Sequence, residues 1–277
     1  MALPARTNVA LALPGVLLLV LFFALPVLSI AVDALAEGGA AFARVFATAG
    51  FWTALAGSGV LTLVAATLST TVGVAVALHL SRLSSRQRTV LSFVIALPLT
   101  FSGLIVAYGF ILGYGRAGFV TQLLARAGFD AATIGGALFT PTGLAFASSY
   151  YLIPRVVIGM LPVLVNFDRA QLAAAESLGA TPAQAFRQVL LPQVAAPVVA
   201  SFGLVAAVVF GAYGTALALV GTRVNILPLQ LYSMISESGS DFAAAAALSL
   251  ILLAMCSSIM AVGELVAARH EQRHAHA

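Results

Sequence analysis

Apolar residues in this chain do not alternate with polar ones. They run together in long blocks separated by short polar or turn-forming segments. Six blocks reach the roughly 20 residues that a helix needs to cross hydrocarbon, at residues 9–32, 54–80, 90–113, 138–165, 194–220 and 242–262. Backbone groups in lipid must bond internally, and uninterrupted runs suit helices better than short alternating barrel strands. The pattern predicts an all-α membrane protein, a single transmembrane domain over residues 1–277 with six spans. The first block follows Arg6 as a secretory signal would. It is longer than an h-region of about 7–15 residues, so it is expected to remain as the first span, with Pro14 and Pro26 as kink points. Gly57, Gly59 and Gly73 are expected to let neighbouring helices approach closely.

Arginine placement orients the spans, because cytoplasmic loops carry the excess of basic residues. With the N-terminus inside, Arg6, Arg82, Arg86, Arg88, Arg169, Arg187, Arg269 and Arg273 fall on the cytoplasmic side, against Arg44, Arg116, Arg126 and Arg223 outside. Both termini are therefore expected in the cytoplasm. Asp33, Glu37, Asp130, Glu237 and Asp241 fall outside, in keeping with that orientation.

The longest inside segment, residues 166–193, reads as two short helices. Asp168 is positioned as an N-cap with Gln171 reaching back to it, and the alanines from Ala170 to Ala175 propagate helix well. Gly179 is placed to end that helix in a left-handed conformation. Thr181, Pro182 and Gln184 then form a second start, a capping box with proline at the first helical position. Phe186, Val189 and Leu190 give the second helix one apolar face, and Pro192 is expected to break it. The result is a compact helix–turn–helix projecting from the membrane, shaped to fit a groove on another protein.

Composition narrows the chemistry. Hydrophobic residues make up 61% of the chain and charged residues 8%, against about 25% charged in soluble domains; lipid is the solvent for most of this surface. All 13 basic residues are arginines. A chain without lysine cannot cradle ATP through a P-loop, so any ATP coupling must come from a partner. The formal charge of +4 is spread between apolar blocks and makes no nucleic-acid footprint. Cys256, alone in an apolar run, forms neither a disulfide framework nor a thiolate metal cluster. The tail histidines His270, His274 and His276 read as a solvated terminus rather than a metal site. No catalytic constellation, metal site or cofactor motif is found.

The loop also carries a resemblance. Ala173-Ala174-Ala175-Glu176-Ser177-Leu178-Gly179, then nine residues to Val189-Leu190-Leu191-Pro192, resembles the EAA loop of binding-protein-dependent ABC importer permeases, whose pattern is E-A-A-x-x-x-G, nine residues, then I-x-L-P. Ala173 stands where that pattern has its leading glutamate, so the glutamate's contact to the ATPase is not implied here. Tyr150-Tyr151-Leu152-Ile153-Pro154 resembles the family's approach to the loop. Phe210-Gly211-Ala212-Tyr213-Gly214 resembles its Gly-aromatic-Gly region, without the acidic residue common there. The resemblance implies a type I ABC importer permease in the bacterial inner membrane. Its partners would be two copies of an ABC ATPase subunit, a second permease subunit (identical or homologous) and a periplasmic substrate-binding protein. Ala173, Ala174, Ala175, Gly179, Phe186, Val189, Leu191 and Pro192 would form the ATPase-coupling loop. The solute would be small and polar: the compact layout and the outer segment Leu227-Pro228-Leu229-Gln230-Leu231-Tyr232 look most like those of permeases for polyamines, 2-aminoethylphosphonate, thiamine or ferric iron, and the resemblance makes a polyamine or 2-aminoethylphosphonate the expectation.

Arg155 lies inside the fourth block, where a charge costs about 2.5–3.5 kcal/mol on insertion scales. Either it snorkels to a shifted boundary or it lines an inner vestibule or meets a partner permease. Tyr150, Tyr151 and Tyr213 are further candidates for the solute path, although these, Tyr108 and Tyr114 also suit membrane interfaces. Two rival readings remain. An ion-gradient-driven secondary transporter would use intramembrane acids, for which Glu264 is the nearest candidate. An intramembrane enzyme would need a base or metal ligand, and His79 is the histidine nearest a span.

Overall fold

The computed structural model describes residues 13–221, 224–236 and 241–275. Arg6, Arg223, Glu237, His276 and the start of the first expected span lie outside them, as do the side chains of His270, Arg273 and His274. Every regular element among the described residues is helical. In chain order these are α1 (Leu13–Leu35, with a π-helical turn at Val20–Ala24), α2 (Ala40–Ala47), α3 (Ala49–Ser81) and α4 (Ser85–Ala96). Next come α5 (Gly103–Tyr114), α6 (Phe119–Arg126), α7 (Ala131–Ala137), α8 (Pro141–Asn166) and α9 (Ala170–Ser177). The chain closes with α10 (Pro182–Phe210), α11 (Gly214–Val220), α12 (Leu227–Ser236) and α13 (Phe242–Ala275).

Among the described residues, six stretches are long and apolar enough to cross a membrane: α1, α3, Gly103–Arg126 (α5 and α6 together), α8, α10 and α13. Four match the expected blocks closely. The third and fifth do not, and the reasons are local. Residues 90–113 form no single helix, because Pro98 opens a short 3₁₀ turn at Leu97–Thr100 and the chain is extended at Phe101. Ser102 then caps a fresh helix, its hydroxyl accepting from the Ile105 amide at 3.4 Å. Residues 194–220 likewise divide: α10 stops at Phe210, Gly211 caps it, and α11 starts afresh at Gly214. Proline and glycine end helices without interrupting an apolar run.

The bundle is organised by α3 against α8 and by α10 against α13, with α10 also touching α3 and α13 covering α1. Small residues set both close pairs. A Cβ on Gly73 would lie 2.6 Å from the Val156 Cβ on α8. Gly203 and Gly263 face each other so tightly that a Cβ on either would lie 3.0 Å from the other's Cα. Such pairs hold helices together in lipid, where dispersion rather than water exclusion drives association. Gly57 approaches the Asn225 carbonyl rather than a helix, and Gly59, contrary to the expectation, packs against nothing. Leu152, Val156, Met160, Val205 and Leu144 fill the main core, while Phe51, Phe210, Leu227 and Leu248 fill a second. Large apolar side chains cover the outside as well, among them Phe22 at 77% and Leu112 at 75% exposed. Such an apolar outer face suits lipid rather than water.

At one end of the bundle, Arg44 of α2 donates through Nη1 to Glu37 and through Nε and Nη2 to Asp241 at 3.0 Å. These bonds push the Arg44 pKa further up and hold the Asp241 carboxyl below the usual range. Asp241 also caps α13, accepting from the Ala244 amide at 2.9 Å.

Candidate functional site

The 166–193 segment folds as two joined helical turns. Asp168 Oδ1 accepts from the Ala170 amide at 2.9 Å, the cap expected of it. Gln171 does not reach back: its Oε1 accepts from Gln193 Nε2 at 2.6 Å, tying the start of α9 to α10. At the far end of α9, Gly179 has φ +94°. The Ala180 amide donates to the Ala175 carbonyl at 3.1 Å and the Gly179 amide to the Glu176 carbonyl at 3.0 Å. This pair of bonds is the Schellman arrangement, which satisfies carbonyls that the helix end would otherwise leave open. Thr181 then caps α10: its hydroxyl accepts from the Gln184 amide at 3.3 Å, and its own amide donates to Gln184 Oε1 at 2.8 Å.

One expectation fails here. Pro192 does not break the second helix, which runs unbroken from Pro182 to Phe210. The turn at Phe186–Leu190 widens to a π-helix, with the Leu191 amide donating to the Phe186 carbonyl. A widened turn makes room for a proline ring that would clash with the carbonyl four residues back. The second helix of the loop is thus the first two turns of the fifth crossing.

Within the segment, Ala173, Ala174 and Gly179 are exposed and Ala175 is half-buried. Leu178, an apolar residue, stands 90% exposed at the tip. Ala185 and Leu190 turn inward; Val189 and Pro192 are half-buried, while Phe186 and Leu191 remain partly outside at 39% and 45%. The apolar face expected at Phe186, Val189 and Leu190 is therefore centred on Leu190 and Ala185. Arg169, not singled out by sequence reasoning, donates through Nη2 to the Ser81 carbonyl at 2.9 Å. Its position beside the last residues of α3 was not readable from spacing, since the two residues lie far apart in sequence.

A second site surrounds Arg155. Its Nη1 donates to the Tyr151 carbonyl at 2.8 Å, and its Cζ lies 5.6 Å from the Tyr151 ring centroid, within cation–π range. Arg155, Tyr151 and Tyr213 share a cavity of about 190 Å³ whose walls also include Pro98, Gly103 and Thr215. The structure thus brings three of the four path candidates together. Tyr150 lies apart, packed edge to face against Phe110 at 5.7 Å. The two interrupted stretches meet at this cavity, and Thr215 of α11 donates its hydroxyl to the Gly103 carbonyl at 3.1 Å. Tyr213 continues outward onto Tyr232, with ring centroids 5.5 Å apart. The breaks at Pro98 and Gly211 were the signals that could have located this cavity in the sequence.

The family described as binding-protein-dependent transport system inner membrane component matches residues 69–274. The chain is 31% identical to the chloroplastic sulfate permease 2 of Chlamydomonas reinhardtii over 90% of its own length and 65% of that protein's. It is 27% identical to the sulfate transport system permease protein CysW of Synechocystis over 87% of each chain. Other relatives are named as permeases for molybdenum, 2-aminoethylphosphonate and spermidine/putrescine. The fold is similar to that of a chain in the crystal structure of a bacterial alginate ABC transporter in complex with an alginate pentasaccharide-bound periplasmic protein, with TM-score 0.71, 18% identity, and 95% of this chain and 94% of that one covered. The chain belongs to the binding-protein-dependent transport system inner membrane component family, the permease subunits of ABC importers.

Proposed function

We propose that this chain forms, with a second permease copy or a sister chain, the membrane path of an ATP-driven importer in a bacterial inner membrane. A periplasmic binding protein delivers a small polar solute to one face, and two ATPase subunits close on ATP at the other. Both termini and the 166–193 loop lie on the ATPase side in this reading. The paired turns of that loop carry the reading: a Schellman stop and a capping box back to back give a rigid knob, and exposed Ala173, Ala174, Leu178 and Gly179 give it a small apolar tip. Such a tip suits insertion into a groove on the ATPase. Ala175, Phe186, Val189, Leu191 and Pro192 support it from behind, where α10 continues into the bundle. Alternating access of this kind needs no covalent chemistry from the chain, which acts as a transport subunit. Among the solutes, 2-aminoethylphosphonate and a polyamine remain the expectation from sequence, and the named relatives add sulfate and molybdenum.

Reconstitution tests the reading. The chain purified with its co-purifying subunits, placed in liposomes, is expected to accumulate solute only with ATP and the binding protein, and to be indifferent to an uncoupler. Uptake that an uncoupler abolishes and ATP does not drive identifies an ion-gradient transporter instead.

A further inference from the structure

The geometry points to the Arg155 cavity as a binding station for a small oxyanion group, such as sulfate, molybdate or a phosphonate, on the solute's way through the bundle. This inference rests on the transport reading above. Its first support is the charge. Arg155 presents five N–H donors and sits part-buried among crossing helices, where a charge is tolerated only when it is paired or functional. Among the described residues no carboxylate pairs with it; the ion pairs there belong to Arg44. One donor is used on the Tyr151 carbonyl of its own helix, and among the described residues no other hydrogen bond engages the guanidinium of this cavity-lining side chain.

The second support is the lining. Tyr151, Tyr213 and Thr215 add hydroxyl-bearing side chains to the wall, and the wall carries no acid. A guanidinium matches the geometry of an oxyanion through paired hydrogen bonds. A cationic solute would meet uncompensated like charge in a medium of low dielectric. The third support is size. At about 190 Å³ the cavity is smaller than the roughly 300–1,000 Å³ of sites for drug-sized ligands, so it suits one small anion head rather than a sugar chain. The space exists because the third and fifth apolar stretches both interrupt beside Arg155, at Pro98 and Gly211.

The test is uptake by the complete transport complex in liposomes, with sulfate, molybdate, 2-aminoethylphosphonate and putrescine as probes. The wild-type complex is expected to take up at least one of the three oxyanion probes and not putrescine. Arg155→Gln is expected to lower that uptake roughly tenfold or more, the scale of a lost charge-assisted hydrogen bond. Arg155→Lys should recover part of it, and Tyr213→Phe should raise the concentration needed for half-maximal uptake. Should Arg155→Gln fail to insert, the lysine and phenylalanine variants carry the test. Putrescine uptake, or unchanged oxyanion uptake in all three variants, overturns the site while leaving ATP-driven import intact. Oxyanion uptake that depends on Arg155 but not on ATP overturns the importer reading and leaves the site standing.

Discussion

The Arg169 guanidinium donates to the Ser81 carbonyl at 2.9 Å and approaches the Ser81 hydroxyl at 3.3 Å, so the residue that opens the α9 turn holds the last residue of α3. A cation at a helix C-terminus meets open carbonyls and the negative end of the dipole. The contact links the exposed loop to the helix that packs most extensively on α8. Arg169→Ala is expected to leave insertion and ATP hydrolysis near normal while lowering uptake several-fold. The ratio of solute moved to ATP hydrolysed checks it; an unchanged ratio removes Arg169 from the coupling route.

Gly179 offers a sharper test. Its φ of +94° is a region that β-branched residues avoid, and holding one there costs about 1–3 kcal/mol. A Cβ would meet nothing within 4 Å, so the strain is purely conformational. Gly179→Val should displace the knob, abolish ATP-coupled uptake and leave the amount of inserted protein unchanged. Normal uptake in this variant would show that the turn is not part of the coupling surface.

The glycines on the crossings separate into two kinds. Gly73→Leu drives its side chain into Val156, and overpacking of this sort costs about 1–3 kcal/mol or more. Gly203→Leu does the same against Gly263. Both are expected to lower the melting temperature in detergent. Gly59→Leu, which has open space around it, is expected to melt like the wild type, and equal destabilisation by all three would contradict the packing described.

The ion pair at Asp241 gives a pH signature. Its folded carboxyl is held below the ordinary value by Arg44 and by the Ala244 amide, whereas the unfolded carboxyl titrates near about 3.9. The unfolded state therefore binds more protons as acid is added, so stability rises with pH through this window. The contribution is fully present above the unfolded value and is lost as pH falls through the folded one. Amide protection in α2, taken relative to the intrinsic exchange rate at each pH, should be flat from neutral pH down to about 5 and fall below about 4. Asp241→Asn should remove most of that acid response. Asp130, also held low by bonds from Thr133 and Ala132, is outside this contact and keeps its own.

Topology is testable by labelling. With Cys256 replaced by serine, cysteines at Ala183 and Ala127, both exposed, are expected to react with impermeant reagents from opposite sides of the membrane. Reaction of both from the same side would refute this topology.

Turn chemistry was the most legible part of the sequence. Gly179, Thr181, Gln184 and Asp168 do what their side chains dictate locally, because a cap needs only its neighbours. The interruptions at Pro98 and Gly211 were harder. A run of apolar residues looks continuous to hydropathy even where the backbone changes direction, since both halves stay apolar. Pro192 misled in the opposite sense. A proline reads as a stop until a widened turn gives its ring room, and that turn forms with no dedicated residue to announce it. Arg155 was visible as an expense without a stated return; only the meeting of Tyr151 and Tyr213 beside it gave the charge a setting. The Arg169 contact to Ser81 could not be read at all, because it depends on how α3 ends next to α9.

The unbroken course of α10 has a mechanical corollary. Its 29 residues, at 1.5 Å each, make a strut of roughly 44 Å. One end is the capped turn beside Gly179 and the other is the wall that Val208 contributes to the Arg155 cavity. The helix is continuous between them, with the widened turn at Phe186–Leu190 and Pro197 as its places to bend, so a tilt imposed at Thr181 is passed through those points to Val208. Force and cargo would then be handled at opposite ends of the same piece of backbone.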